Sequence, residues 1–207
     1  MIQDPSSRRQ TLLAHNSGIW QGSFIRLDGR CQERERFTSH LLVTEQAGQI
    51  EAALTNRLTG SVRSMRFAEP PVEMQISPGG HWSLGPDRIG AWPWVSELCL
   101  VWGQQRRRIV LRCAAEKLES VVLVLEGRPG EMLPIPASPL NLTPTQLDGQ
   151  LVIQADQSEH FKISFPAHRR FGEAQHVALL WEPEPGVALG LARHYGASGQ
   201  LLSYGLG

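Results

Sequence analysis

The feature that most limits what this chain can fold into is the period of its hydrophobic pattern. From residue 18 onward, apolar side chains recur at every second position in short runs, and turn residues separate the runs at close intervals. That pattern belongs to antiparallel strands joined by hairpins. Strands are expected at about 18–27, 33–44, 49–57, 61–68, 72–76, 80–84, 95–102, 106–113 and 118–126. Asp28-Gly29, Ala47-Gly48, Thr59-Gly60 and Pro78-Gly79-Gly80 lie between them and supply positions that accept positive φ. A meander of this length either exposes two edges or curls until it closes, and up-and-down closure gives a barrel whose mouth holds one small ligand. Residues 8–15, RRQTLLAH, read as a short helix ahead of the first strand, placed to act as a lid or plug.

The barrel is expected over residues 10–130. Residues 127–145 carry five prolines and two glycines and cannot sustain a regular element for long, so 131–148 is expected to be a linker. Strands at about 149–154, 159–165, 176–182, 187–195 and 199–205 then form an antiparallel segment over 149–207. They are short for a second full barrel, and either complete the first or make a reduced second module. The expected class is all-β: an antiparallel barrel with a short N-terminal helix and a smaller C-terminal β segment.

Twenty Lys and Arg balance twenty Asp and Glu, so no broad field points to nucleic acid or an anionic membrane surface. No apolar run approaches the roughly eighteen residues of a membrane-spanning helix. The start, MIQDPSSRRQTLLAHN, is polar and lacks the apolar stretch of a signal peptide, and a soluble cytoplasmic protein is expected. Cys31, Cys99 and Cys113 show no CxxC spacing, which fits buried thiols rather than disulfides or structural zinc. The apolar context of Cys99 and Cys113 would raise their pKa and argues against a nucleophile. The seven histidines are scattered, so no metal site is expected. No hydrolase, zinc-protease, phosphate-loop or dinucleotide pattern occurs. No catalytic residue is assigned and no cofactor is required.

Several polar residues nevertheless fall on apolar strand faces. In VALGLARHY, Arg193 and Tyr195 share the larger, more apolar face with Val187, Leu189 and Leu191. A buried arginine there needs an acidic side chain, an aromatic face or a ligand carboxylate. In QRRRIVLRC, one face carries Arg106, Arg108, Val110 and Arg112. That face is either solvated or directs Arg106 and Arg108 into the cavity, paired with Glu97 of the preceding strand or with ligand carboxylates. Trp82, Trp92, Trp94 and Trp102 cluster in one stretch. Trp92 and Trp94 either line a mouth for a flat apolar ligand, with Trp102 nearby, or pack their own loop. Gly18-x-Trp20 opens the first strand. A lipocalin-like, or calycin, barrel begins with such a Gly-x-Trp, whose indole plugs the closed end beneath a stacked arginine.

With these residues in view, the chain resembles a cyanobacterial family of uncharacterised lipocalin-like proteins. The resemblance is carried by HNSGIWQGSFIRLDG at 15–29, GHWSLGP at 80–86 and SELCLVWGQQRRRIVLR at 96–112, and more weakly by 181–207. That family is similar in fold to the S-type phycobiliprotein lyases, which hold a linear tetrapyrrole and deliver it to a cysteine of an apo-phycobiliprotein. The resemblance implies a barrel binding a flat, apolar, carboxylate-bearing bilin. Arg106, Arg108, Arg193, Glu97, Trp92, Trp94, Trp102 and Tyr195 are then the expected ligand contacts, and Gly18 and Trp20 the plug. The implied partners are the bilin and an apo-phycobiliprotein subunit. A non-catalytic carrier of another hydrophobic ligand and an assembly factor acting through protein contacts are the competing expectations.

Overall fold

The computed structural model describes residues 5–114, 116–155, 161–168, 170 and 172–203. One helix, α1 (Pro5–Asn16), precedes nine strands: β1 (Gly18–Asp28), β2 (Glu33–Gln46), β3 (Gln49–Asn56), β4 (Val62–Phe67), β5 (Gln75–Ile76), β6 (Trp82–Leu84), β7 (Trp94–Trp102), β8 (Gln105–Cys113) and β9 (Leu118–Gly127). They form one antiparallel sheet in the order β4-β3-β2-β1-β9-β8-β7-β6-β5, curled into a half-barrel. β10 (Thr145–Leu147), β11 (Gln150–Ala155), β12 (Phe161–Pro166), β13 (Gln175–Glu184) and β14 (Val187–Tyr195) form a second, five-stranded sheet in sequential order.

The large sheet curls without closing, because β4 and β5 stand at its two ends and do not pair. The chain between them contains Pro70 and Pro71, which have no N–H to donate to a ladder, and β5 is only two residues long. The expected closed barrel is therefore a half-barrel with a seam. At the β2–β3 hairpin, Ala47 and Gly48 both take positive φ, 51° and 76°. Two successive left-handed residues give the turn whose twist matches its strands. Gly22 has a different role. A Cβ there would lie 1.9 Å from the Leu125 carbonyl oxygen, so only glycine lets β1 and β9 close to pairing distance.

Period two splits β1 and β7–β9 into two buried faces. Ile25, Leu27, Leu98, Leu100, Ile109, Leu111, Val121, Leu123 and Leu125 face the second sheet and share a core with Ile153, Ile163, Phe165, Val177, Leu179, Trp181 and Leu191. The opposite, concave face carries Trp20, Cys99 and Val101, which pack with Leu12 of α1, Leu41, Val43, Ile50, Met74 and Ile76. Strands buried on both sides explain why β7 and β9 read as near-continuous apolar runs.

The proline-rich stretch is tied down. The Glu33 carboxylate accepts hydrogen bonds from Arg36, Ser138 Oγ and the Leu140 N–H, while Arg36 donates to the carbonyls of Pro136 and Ala137. The expected linker also ends in β10. The expected strand at 199–205 is absent among the described residues, where Leu201 and Gln200 form isolated bridges to Tyr195 and Arg88. Positions 204–205 lie outside the described residues, as do 159–160 of another expected strand. Among the described residues, no helix is long and apolar enough to cross a membrane.

Candidate functional site

The concave face encloses a cavity of about 260 Å³. Leu12, Leu41, Val43, Ile50, Ala52, Leu54, Met65, Phe67, Met74 and Leu84 give it apolar walls, and Glu97, Arg106 and Arg108 lie against it on one side. Strand parity puts the polar groups there. Arg106 and Arg108 are two apart on β8, and Glu97 is on the same face of the neighbouring β7. The sharper of the two sequence readings of this strand is therefore the one observed for Arg106 and Arg108, whereas Arg112, at the far end of β8, is exposed.

One buried and one partly buried ion pair hold these side chains. Arg106 Nε donates to Glu126 Oε2 at 2.7 Å, and both side chains are almost fully shielded, at 2% and 0% exposure. Arg108 Nη1 donates to Glu97 Oε1. Arg108 Nη2 also stands 3.5 Å from Glu126 Oε1, where the attraction is electrostatic and not a formed hydrogen bond. Burial alone would raise the Glu126 pKa, but the Arg106 and Arg108 charges outweigh it and hold the carboxyl below its ordinary value. Burial likewise works against the Arg108 charge, and Glu126 and Glu97 more than restore it. Arg106 Nη2, Arg108 Nε and Arg108 Nη2 remain buried without a hydrogen-bond partner. Glu126 Oε1 is buried without a partner as well, 3.5 Å from Arg108 Nη2, so the arginines and the carboxylate hold one another chiefly by charge.

A wider bowl of about 660 Å³ adjoins this cavity, with Leu54 and Arg63 lining both. It is framed by residues near the ends of β1, β3 and β8 remote from α1, among them Asp28, Asn56 and Arg112. Phe24 and Phe37 stack in it at 5.0 Å, and Arg108 lies 5.4 Å from the Phe24 ring. Arg26 pairs with Glu35 and Arg34 with Asp28 across the same bowl.

At the other end, Trp20 is fully buried, and its indole N–H donates to the Asn16 carbonyl of α1. The Arg106 and Arg128 guanidiniums lie 4.3 and 3.8 Å from its ring centroid. Arg128 also donates to the Ser17 carbonyl. Burial, and then the Arg106 charge, lower the Arg128 pKa. Asn16 joins the ends of the network, since its Oδ1 accepts from Trp82 Nε1 and from Arg106 Nη1 and its amide donates to the Gly80 carbonyl. Gly18, with φ of 91°, lets the chain turn from α1 into β1.

The remaining expected ligand contacts are placed elsewhere. Arg193 is fully buried, but outside the concave cavity. It donates to the carbonyls of Glu73, Ser83, Gly85 and Pro86, to Ser83 Oγ and to the Tyr195 hydroxyl. Neutral oxygens supply what a carboxylate or an aromatic face is expected to supply, and Trp20 receives its cations from Arg106 on β8 and from Arg128 just past the end of β9. Tyr195 packs edge-on against Trp94 in the core between the sheets. Trp94 is 5% exposed and Trp92 is 54% exposed, so one of two indoles expected at a mouth is core. Trp102 donates to Glu184 on β13, away from the cavity. Sequence reasoning missed Arg63, Asn16 and Glu126. Glu126 carried a usable signal, being a carboxylate in phase with Val122 and Val124 in an otherwise apolar strand.

No family model and no curated protein matches the chain. Among solved structures, it is similar to a protein of unknown function from the DUF3598 family of Nostoc punctiforme PCC 73102, with a TM-score of 0.74 and 13% identity over 97% of this chain and 96% of that one. At that identity the likeness shows the fold. The half-barrel with its second sheet is thus an arrangement that the cyanobacterial protein shares along nearly its whole length.

Proposed function

We propose that the half-barrel binds a small apolar molecule that carries a carboxylate, with the apolar body against the β2–β4 wall and the carboxylate on Arg106 and Arg108. The observation that carries this reading is the placement of two arginines, Arg106 and Arg108, against an otherwise apolar cavity. The charges along the lining support it. Arg63, Arg106 and Arg108 face one carboxylate, Glu97, with Glu126 beneath them, so an added anion meets net positive charge. Bidentate guanidinium recognition then supplies orientation as well as affinity. At about 260 Å³ the inner cavity is near the small end of ligand pockets, which run from roughly 300 to 1,000 Å³. The adjoining bowl of about 660 Å³ accommodates a longer body.

Within this ligand class we put forward the linear tetrapyrrole as the first candidate, on the sequence resemblance and on the aromatic pair in the bowl. Its recipient in that reading is an apo-phycobiliprotein. The test is a titration of the purified protein with phycocyanobilin and, separately, with a long-chain fatty acid, followed by induced circular dichroism and tryptophan fluorescence. The expected result is saturable binding of one molecule per chain, weakened about tenfold or more in Arg108→Gln, the size set by losing one charge-assisted contact of about 1.5–3 kcal/mol. Fatty-acid binding without bilin binding would remove the tetrapyrrole and keep the carrier. Silence from both ligands would overturn the proposal.

A further inference from the structure

The outer face of the second sheet, away from the cavity, carries two histidines that the strand register places opposite each other. His176 on β13 is the direct cross-strand partner of His194 on β14, and their ring centroids are 5.5 Å apart with 33° between the ring planes. They are eighteen positions apart in sequence, so no local spacing reveals them. Neither ring has a hydrogen-bond or ion-pair partner among the described residues, so ring nitrogens on both are uncommitted. The next pair along the same face is Ala178 opposite Ala192, two methyl groups that leave room above the rings.

From this geometry we infer that His176 and His194 bind a divalent transition-metal ion of the zinc class. With metal–nitrogen bonds of about 2.05 Å, and a ring centre ~1.15 Å behind each nitrogen, two imidazoles on one tetrahedral ion stand with centroids about 5.2 Å apart. The observed separation of 5.5 Å matches that spacing, and chelation requires each ring to turn one nitrogen toward the shared ion. The ligands must be neutral imidazoles. No third His, Cys, Asp or Glu joins them among the described residues. Two protein ligands leave the other coordination positions to water, so the site is labile and exchanges its ion. A bound ion also bridges β13 to β14, the last strand of its sheet.

The experiment is calorimetric titration of chelator-stripped protein with zinc chloride, comparing wild type with His176→Asn, His194→Asn and His40→Asn, the last on β2 of the other sheet. One ion per chain is expected, with affinity reduced by more than about tenfold in each of the first two variants and unchanged in the third. Melting curves in chelator establish that the variants fold like wild type. As a second readout, copper(II) is expected to broaden the ring resonances of His176 and His194 before those of the other histidines. Absence of saturable binding overturns the inference, as does wild-type affinity in His176→Asn or His194→Asn, or an equal loss in His40→Asn.

Discussion

Replacing Glu126 by Gln tests the buried charge arrangement on which the cavity is built. The substitution keeps the side-chain shape, but leaves Arg106 and Arg108 beside a neutral amide in a place with no solvent access, since Glu126 is 0% exposed. Breaking a buried pair by neutralising one partner costs about 3–5 kcal/mol. For a chain of this size each kcal/mol shifts the melting temperature by about 2–4 °C, so a fall of roughly 6–20 °C is expected. Glu97→Gln is the control, because that side chain is 20% exposed and water can relax around Arg108, which limits the expected loss to about 1 kcal/mol. Differential scanning calorimetry at neutral pH reads both. The two members of the pair should also couple, with Arg106→Gln/Glu126→Gln less damaged than the sum of its single variants. The sign with pH follows from the depressed Glu126 pKa. The stabilisation is complete above the ordinary carboxyl value of 4.5 and disappears as pH falls through the lower folded-state value. The gap between wild type and Glu126→Gln should therefore narrow in acid. Equal losses for Glu126→Gln and Glu97→Gln at neutral pH would refute the reasoning, as would a gap that widens in acid.

Arg193→Met should cost several kcal/mol, on the order of 3 or more, because several buried carbonyls lose their donor together; denaturant unfolding checks this, and binding per folded molecule should not change. Trp94→Ala should destabilise by about 3–5 kcal/mol, whereas Trp92→Ala should stay within about 0.5 kcal/mol, both read from urea midpoints. Burial pushes the Cys31 thiol up to about 11 and the Cys99 thiol up to about 12, so alkylation of the native protein at neutral pH should be slow at both and become fast on unfolding. Gly22→Ala should prevent the β1–β9 pairing, visible as loss of the cooperative unfolding transition.

Strand positions were legible because the chain obeys period two almost throughout. The first nine expected strands all lie over observed ones, with ends shifted by up to a few residues. α1 begins before the expected helix, at Pro5. The same periodicity puts Arg106 and Arg108 on one face of β8, but leaves open whether that face meets solvent or the cavity. What parity does not reveal is which of two buried faces a residue occupies. Period two places Arg193 and Tyr195 on the apolar face of their strand, but Tyr195 packs in the core between the sheets and Arg193 lies outside the cavity; Trp94, expected in a loop, opens β7 and joins that core. The same ambiguity concealed the half-barrel, because a sheet buried on both sides by its own chain has no clean polar exterior to mark its outside. His176 opposite His194, and Glu126 beneath Arg106, depend on cross-strand register, which a single sequence does not state.

Whether the cavity of the half-barrel takes an apolar carboxylate by its acid group is tested most directly by equilibrium binding of one long-chain acid and of its methyl ester, each to wild type and to Ala52→Trp. The acid should bind at least about tenfold more tightly than the ester, reflecting one charge-assisted contact. In Ala52→Trp the introduced indole should abolish binding of both by filling the space between β3 and the arginines. Equal affinity for acid and ester, or binding undiminished in Ala52→Trp, would contradict it.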